Sequence, residues 1–227
     1  METIDYNEGA VILIDKPTTW TSFDVVKKLK FALKVKKIGH AGTLDPLATG
    51  LLVICTGKFT KKIDTYQNDA KEYICELTFG KTTPSIDLET DFDGEYPYDH
   101  INNENLQTAI ASFIGEISQT PPIYSAIKID GKRAYTLARK GLEAEIKSRL
   151  ITIYSIDILS FENPILVLRI ACSKGTYIRS LVRDLGEKLH SGAYMSNLRR
   201  TKIGDFDVAN AKTIQDFVKI NTTTLPE

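Results

Sequence analysis

The stretch "HAGTLDPLATGLLVICTG", residues 40–57, joins a loop of small and turn-forming residues to an apolar run. Gly42 permits backbone conformations that residues with a Cβ avoid, and Pro46 biases the preceding Asp45 away from a helical conformation. The run "GLLVICTG" is short and apolar, which predicts a buried strand. The pattern therefore predicts a loop that presents the Asp45 carboxylate beside a sheet, while an Asx-type turn without function is the alternative.

Segments on both sides of this stretch predict a mixture of strands and helices. Strands are predicted in "GAVILIDKP", "KEYICELTFG", "SRLITIYSIDILSFE", "PILVLRIACS" and "SNLRRTKIGDFDV". Helices are predicted in "TSFDVVKKLKFALK", "ENLQTAIASFIGEI" and "TYIRSLVRDLGEKLH". Hairpin-like strand pairs with interspersed helices favour an α+β fold, with a mixed, largely antiparallel central sheet flanked by helices.

The first of these helices carries a start signal and an apolar face. Thr21 stands three residues before Asp24, which is the spacing of a capping box. The lysines of this segment are expected to point outward, away from the apolar face. The residues expected on that face are Phe23, Val26, Leu29, Phe31 and Leu33.

The chain is expected to form one domain. Its 227 residues contain no repeat and no long linker. The segment 121–148 is basic and rich in turn-forming residues, which predicts an insertion that projects from the sheet. The prediction is therefore a single domain, residues 1–227, with an insertion at about 121–148.

Charge is unevenly distributed along the chain, although 29 basic and 29 acidic residues give a net charge of zero. Six lysines fall between Lys27 and Lys37, and "GKFTKK" and "NLRRTK" are also basic, whereas acids concentrate in residues 85–105. A neutral chain with this pattern can carry a basic face that attracts a polyanion. Solvated helix faces are the alternative interpretation.

The sequence contains no P-loop, no G-x-G-x-x-G, no H-E-x-x-H and no G-x-S-x-G motif, so neither a nucleotide cofactor nor a metal is expected. Its N-terminus lacks the apolar core of a signal peptide, and no apolar run is long enough to span a bilayer, so a cytoplasmic protein is expected. Three cysteines lie far apart in strand-like runs and are expected to be buried, reduced thiols. They are Cys55, Cys75 and Cys172.

Five segments in order resemble the motifs of the tRNA pseudouridine-55 synthases, the TruB family. They are "ILIDKPTTWTSFDVV", "KIGHAGTLDPLATGLLVICTGKFTKK", "KEYICELTFGKTTPSIDLETD", "PPIYSAIKIDGKRAYTLARKG", and "CSKGTYIRSLVRDLGEKL" followed by "LRRTKIGDF". The resemblance implies the pseudouridine synthase fold and the isomerisation of uridine to pseudouridine at position 55 in the T-loop of tRNA. It implies a monomer that needs no cofactor.

The resemblance also implies roles for individual residues. Asp45 matches the essential aspartate, Arg179 the arginine that pairs with it, and Tyr73 the tyrosine that stacks on the base. Whether the aspartate attacks the sugar, attacks the base or removes a ribose proton stays open. Taken alone, Arg179 would be interpreted as an exposed helix residue and Tyr73 as an ordinary strand residue.

Further residues match substrate-binding positions of the family. Tyr177 and Leu198 match residues that line the uracil pocket, and His40 matches the histidine that fills the space left by the flipped base. Lys16 matches the lysine–proline box, for which support of the catalytic loop is expected. The insertion is expected to bind the phosphates of the T-arm through basic residues that include Lys132 and Arg133.

Two departures from the family pattern stand out. Thr19 occupies a position where the family usually has glycine, so that turn is expected to differ. From the given sequence, the family's common C-terminal RNA-binding PUA domain is expected to be absent. Two alternatives remain: a relative that depends on a guide RNA, and an RNA-binding or tRNA-folding module without required catalysis.

Overall fold

The computed structural model describes residues 4–125, 128–129, 132–133 and 146–222, with side chains left out at 128–129, 132–133 and 222. The chain forms two compact units. The first comprises Met1–Tyr73 and Leu198–Glu227, and the second comprises Ile74–Asn197. The boundaries between the units fall within two strands, Lys71–Phe79 and Ala193–Ile203. Each of these two strands therefore contributes residues to both units.

The elements follow a mixed order of strands and helices. The strands are β1 (Val11–Lys16), β2 (Ile38–His40), β3 (Thr49–Thr56), β4 (Lys71–Phe79), β5 (Lys81–Thr82), β6 (Gly94–Glu95), β7 (Gly115–Gln119), β8 (Lys128–Ile129), β9 (Lys132–Arg133), β10 (Arg149–Glu162), β11 (Ile165–Cys172), β12 (Ala193–Ile203), β13 (Phe206–Asp207) and β14 (Lys212–Thr213). The helices are α1 (Ser22–Leu33), α2 (Ile63–Asn68), α3 (Asn103–Ala111), α4 (Ile178–Lys188) and α5 (Ile214–Thr222), and 3-10 turns cover Gly57–Lys62 and Val208–Asn210.

The first unit is built around strands in the order β14-β1-β3-β12, with β2 on β3 and β13 on β12. β1 and β3 are antiparallel, whereas β3 and β12 run parallel with Gly50 opposite Arg200. Gly50 is required there because a Cβ would overlap the backbone carbonyl of Arg200. This close approach joins the strand that follows the Asp45 loop to β12.

Helix α1 packs on this sheet and on α5. The capping box predicted from Thr21 and Asp24 is confirmed. The apolar face was only partly predicted, because Phe23 and Phe31 are exposed and Val25 is buried instead. The reason is helical geometry, since the buried positions recur at three- and four-residue spacing and the two phenylalanines fall on the opposite side. The buried residues of α1 are Ser22, Val25, Val26, Leu29 and Leu33.

The second unit contains strands in the order β12-β4-β11-β10-β7, with α3 and α4. Along β4, buried and half-buried residues alternate as the sequence predicts. Residues 115–119 form strand β7 rather than the end of a helix. α3 stops at Ala111, Gly115 adopts a positive φ of 103°, and β7 pairs with β10, so strand pairing prevails over helical propensity.

The predicted α+β class is confirmed, with a mixed and mainly antiparallel sheet flanked by helices. The three cysteines are buried and unbridged, as predicted. Within the described residues, no helix has both the length and the apolar character needed to cross a membrane. Most of the predicted insertion at 121–148 lies outside the described residues, and the single-domain prediction stays a prediction.

Thr19 is exposed and adopts a positive φ of 68°, a conformation that β-branched residues rarely take. We expect Thr19→Gly to raise the free energy of unfolding by about 0.5–1 kcal/mol, because relief of left-handed strain exceeds the entropy cost of glycine. Urea unfolding measures this as a higher midpoint with an unchanged slope. Thr18→Gly is the matched control, and its stability should fall; an equal fall for Thr19→Gly would contradict the strain argument.

Candidate active site

Asp45 lies in the loop between β2 and β3. Its side chain is half-buried, and its backbone carbonyl accepts a hydrogen bond from the Ala48 amide at 3.1 Å, which closes a turn around Pro46. Gly42 has a φ of 91°, so the predicted need for glycine is confirmed. The carboxylate is therefore carried on a bent loop next to the sheet of the first unit.

Lys16, at the end of β1, holds this loop from one side. The side chain is fully buried, and its Nζ donates to the carbonyls of Pro17 at 2.9 Å, Trp20 at 2.6 Å and Pro46 at 3.2 Å. Burial lowers the pKa of Lys16 to about 8, the nearby Asp45 carboxylate opposes this shift, and the Arg200 guanidinium adds to it. The ammonium thus ties the Asp45 loop to the turn before α1.

Arg200, on β12, holds the loop from inside the unit. It is 1% exposed, and its guanidinium donates to the carbonyls of Leu51 at 2.8 Å, Gly42 at 3.1 Å and Thr43 at 3.5 Å. The sequence predicts "NLRRTK" as one of the segments of a candidate basic face, and buried Arg200 cannot contribute to such a face. Arg199 forms an ion pair with Asp15 at 2.6 Å, and Arg200 is buried.

Two hydroxyl groups complete the attachment of the loop. Ser22, the first residue of α1, accepts a hydrogen bond from the Leu44 amide at 2.9 Å and donates to the Leu44 carbonyl at 3.2 Å. Thr18 donates to the carbonyl of Leu47 at 3.3 Å. The residues on either side of Asp45 are therefore fixed by side chains from three different elements, which restricts where its carboxylate can point.

His40 ends β2, immediately before the loop, and is half-buried. Burial lowers the pKa of its imidazole, and the Arg200 guanidinium lowers it further, while a backbone hydrogen bond to Gly42 acts in the opposite direction. Burial and the Arg200 charge therefore both favour the uncharged form of the ring. Leu198 and Tyr73 belong to the same unit, and both are buried, on β12 and β4 respectively.

Arg179 belongs to the second unit, in the first turn of α4. It is 4% exposed, so the interpretation as a surface arginine is wrong. Its Nη1 donates to the Ser85 carbonyl at 2.9 Å and lies 3.5 Å from the Asp87 carboxylate, and its Nη2 donates to the Tyr124 carbonyl at 2.8 Å. The two carbonyl hydrogen bonds orient the guanidinium, and the buried Asp87 supplies a negative charge beside it.

Tyr177 precedes α4 as its N-cap residue. Its backbone forms two hydrogen bonds with the Gln119 side-chain amide, at 2.8 and 3.1 Å, and its ring lies 4.9 Å from the Arg149 guanidinium. Arg149 also donates to the Gly175 carbonyl. The tyrosine is therefore held by strand β7 on its backbone and by strand β10 on its ring.

The structure brings Lys16, His40 and Asp45 together in the first unit, whereas Arg179 and Tyr177 are described within the second. Lys132 and Arg133 fall on β9, where the side chains lie outside the described part. Sequence reasoning missed Arg200 and Asp87. The sequence did contain a signal for Arg200. Adjacent residues of a strand face opposite sides, so one of the two neighbouring arginines had to point inward.

The chain matches two family profiles. Residues 30–178 match the TruB family pseudouridylate synthase (N terminal domain), and residues 179–225 match the tRNA pseudouridylate synthase B C-terminal domain. The loop that carries the Asp45 carboxylate is held by backbone hydrogen bonds beside a mixed sheet. Together with these matches, this arrangement defines a pseudouridylate synthase. The chain belongs to the TruB family.

Curated relatives agree with this assignment over almost the full length of the chain. A tRNA pseudouridine synthase B of Parabacteroides distasonis is 47% identical over 233 residues, covering 99% of each chain. Another of Flavobacterium johnsoniae is 54% identical over 220 residues, covering 94% of this chain and 96% of the relative.

Solved structures with a similar fold include the chain matched in a Cbf5-Nop10-Gar1 complex, with a TM-score of 0.74 and 31% identity. The match covers 95% of this chain and 55% of that one, so this chain spans about half the length of its structural relative. A chain in an H/ACA RNP bound to a substrate RNA containing 2'-deoxyuridine gives a TM-score of 0.71 with 28% identity.

Proposed function

We propose that this chain converts uridine to pseudouridine at position 55 in the T-loop of tRNA, as a cytoplasmic monomer without a cofactor. In this isomerisation the N1–C1′ glycosidic bond breaks, the uracil turns, and a C5–C1′ bond forms. The proton at C5 is lost and N1 gains one, so no atom is added or removed overall. Membership of the TruB family and the names of the curated relatives support this proposal.

The observation that carries the proposal is the fixed position of Asp45. The buried Lys16 and Arg200 and the hydroxyl of Ser22 bind the loop through its backbone, at Pro46, at Gly42 and at Leu44. A catalytic carboxylate must be held close to the reacting geometry, and backbone attachment does this without neutralising the carboxylate itself.

Asp45 acts on the ribose–uracil unit in one of three ways: attack on the sugar, attack on the base, or removal of a ribose proton. Each of these needs the ionised carboxylate, which the positive charge of Lys16 favours. Arg179 supplies a second fixed cation for the charge that develops during the reaction. Tyr73 stacks on the uracil and assists proton transfer at C5.

The target uridine must leave its stack to react, at a cost of a few kcal/mol. Tyr177 and Leu198 line the pocket that receives the uracil. His40 fills the space that the flipped base leaves in the RNA, and the lowered pKa of its imidazole favours the uncharged form, which suits stacking between bases. Lys132 and Arg133 bind phosphates of the T-arm and position the RNA without reading its sequence.

Tritium release from C5-labelled uridine in unmodified tRNA tests the proposed function. We expect the purified chain to release tritium from one position per tRNA without guide RNA or partner proteins, because the loop is already assembled in the single chain. A tRNA with cytidine at position 55 is the control and should give no release from that position. A T-arm hairpin should react within about tenfold of whole tRNA, or ~1.4 kcal/mol.

Two results would contradict the proposed function. Release that occurs only after a guide RNA and protein partners are added would favour a guide-dependent enzyme. Tight tRNA binding without any release would favour an RNA-binding or tRNA-folding module.

A further inference from the structure

The outward side of α1 carries aromatic rings and lysines in alternation, and it forms no part of the Asp45 site. Phe23, Lys27 and Phe31 follow at four-residue spacing, so they lie in one row along the helix. Lys34 extends this row at the end of the helix, and Trp20 precedes it. These five residues are called the α1 face.

The two phenylalanines of the α1 face are unusually accessible. Phe31 is 85% exposed and Phe23 is 69% exposed, although the opposite side of the same helix is buried in the core. A groove of about 930 Å³ runs along the face and is lined by Trp20, Lys27, Phe31 and Lys34, among others. This volume is large enough for a base with its ribose and phosphate, since it falls in the range of small-molecule sites.

The charge of the α1 face favours a polyanion. Within the described residues, none of the lysines at positions 27, 28, 30 and 34 forms a salt bridge. The one acid that lines the groove, Asp24, is used by the capping box, where it accepts from the Thr21 amide and hydroxyl. Lysine is depleted at protein interfaces, whereas rings interleaved with cations are typical of surfaces that bind unpaired nucleic acid.

The α1 face also begins at the catalytic loop. Ser22, at the first turn of α1, is bonded to Leu44, and Lys16 donates both to the Trp20 carbonyl and to the Pro46 carbonyl. From there the helix runs for 12 residues, or about 18 Å. An RNA whose target nucleotide lies at Asp45 therefore has other nucleotides within reach of this face.

We propose that the α1 face binds unpaired nucleotides of the tRNA substrate that lie outside the T-arm. Bases stack on Phe31 and Trp20, and phosphates lie beside Lys27 and Lys34. The target nucleotide of the T-loop is taken up at Asp45, and α1 extends about 18 Å beyond that loop, so we assign its outer face to nucleotides of another part of the tRNA. This inference rests on the proposed function, because it takes tRNA as the substrate.

Binding of whole tRNA and of a T-arm hairpin at matched salt tests this proposal, with three variants of Phe31. Phe31→Ala and Phe31→Leu should weaken binding of whole tRNA about fivefold, which is the lower end of the range of effects seen when one base loses its stacking partner. Both variants should bind the hairpin within about twofold of wild type. Phe31→Tyr keeps the ring and should bind like wild type. The exposed position makes all three substitutions compatible with folding.

Salt dependence gives a second readout. The double variant Lys27→Gln/Lys34→Gln should reduce the slope of log affinity against log salt for whole tRNA by about 1 to 2, because fewer counterions are released when two phosphate contacts are lost. Lys212→Gln removes an exposed lysine of β14 in the same unit and should leave the slope unchanged.

Three outcomes would overturn the proposal. Phe31→Leu binding whole tRNA like wild type would show that the contact needs no aromatic ring, so that no base stacks on Phe31. Equal weakening of tRNA and hairpin would place the contact on the T-arm, and no weakening of either would remove RNA from this face. Tritium release by the wild-type protein separates the two proposals. Its absence would contradict the proposed function, whereas the binding comparison would still decide whether the α1 face binds tRNA.

Discussion

Asp45→Asn should lower turnover on tRNA by about 10⁴-fold or more, with little change in folding or in tRNA affinity. An amide has nearly the same shape as the carboxylate but is neither a nucleophile nor a base at neutral pH. Removal of one essential group from a catalytic set typically costs four to six orders of magnitude. Single-turnover tritium release with excess enzyme measures the chemical step directly.

Stability and binding separate this loss from damage to the loop. The loop is attached through backbone groups at Leu44 and Pro46, and the substitution leaves both in place. The urea midpoint at neutral pH should therefore fall only slightly, through the lost attraction between Asp45 and the Lys16 ammonium, and the dissociation constant for tRNA should stay within about threefold. Asp205→Asn, in the exposed turn after β12, is a matched control that should retain wild-type turnover.

The pKa of Lys16 gives an independent measure of the Asp45→Asn substitution. The Asp45 carboxylate raises the pKa of this buried lysine, which stands at about 8, so its replacement by an amide should lower that pKa further. NMR of lysine labelled at Cε follows this titration. Retention of more than a tenth of wild-type turnover by Asp45→Asn would contradict the assignment of Asp45 as the essential acid.

The sequence was informative where structure depends on local pattern. Alternation along β4, the capping box before α1 and the glycine at position 42 are each set by a few neighbouring residues, and all three were predicted correctly. The end of the helix predicted in "ENLQTAIASFIGEI" was not predicted correctly. Residues 115–119 instead pair with strand β10, which begins 30 residues after Gln119. Pairing over that distance leaves no signal in the segment itself.

Partners of buried charges were the least predictable feature of the candidate site. Arg200 binds the Leu51 carbonyl 149 positions away, and Arg179 binds the Ser85 carbonyl 94 positions away. A basic pair in "NLRRTK" and an acid in residues 85–105 both resemble solvated surface residues when they are considered alone. Burial and pairing appear only after the sheet has brought distant segments together.

Arg200→Met should lower the free energy of unfolding by about 3 kcal/mol and reduce turnover at least about 100-fold in the folded protein. The substitution fills most of the volume but leaves the carbonyls of Leu51 and Gly42 buried without their donor. With Gly42 released, the start of the loop loses its attachment to β12, although Lys16, Ser22 and Thr18 still bind Pro46, Leu44 and Leu47. A shift of about 1 Å in the carboxylate costs this much in rate. Urea unfolding and single-turnover kinetics measure the two effects.

A positioning role and a purely stabilising role of Arg200 predict different kinetics. Loss of loop position should reduce kcat while KM and tRNA affinity stay within about threefold, since Arg200 is buried and donates its hydrogen bonds to the backbone carbonyls of Leu51, Gly42 and Thr43. Arg200→Lys keeps the charge but not the planar fork, and should lose about half as much stability and still more than tenfold in kcat. Arg199→Met removes only the partly exposed pair with Asp15, and should cost ~1 kcal/mol or less with near-normal turnover. Wild-type kcat in folded Arg200→Met would show that the Asp45 loop holds its geometry without this arginine.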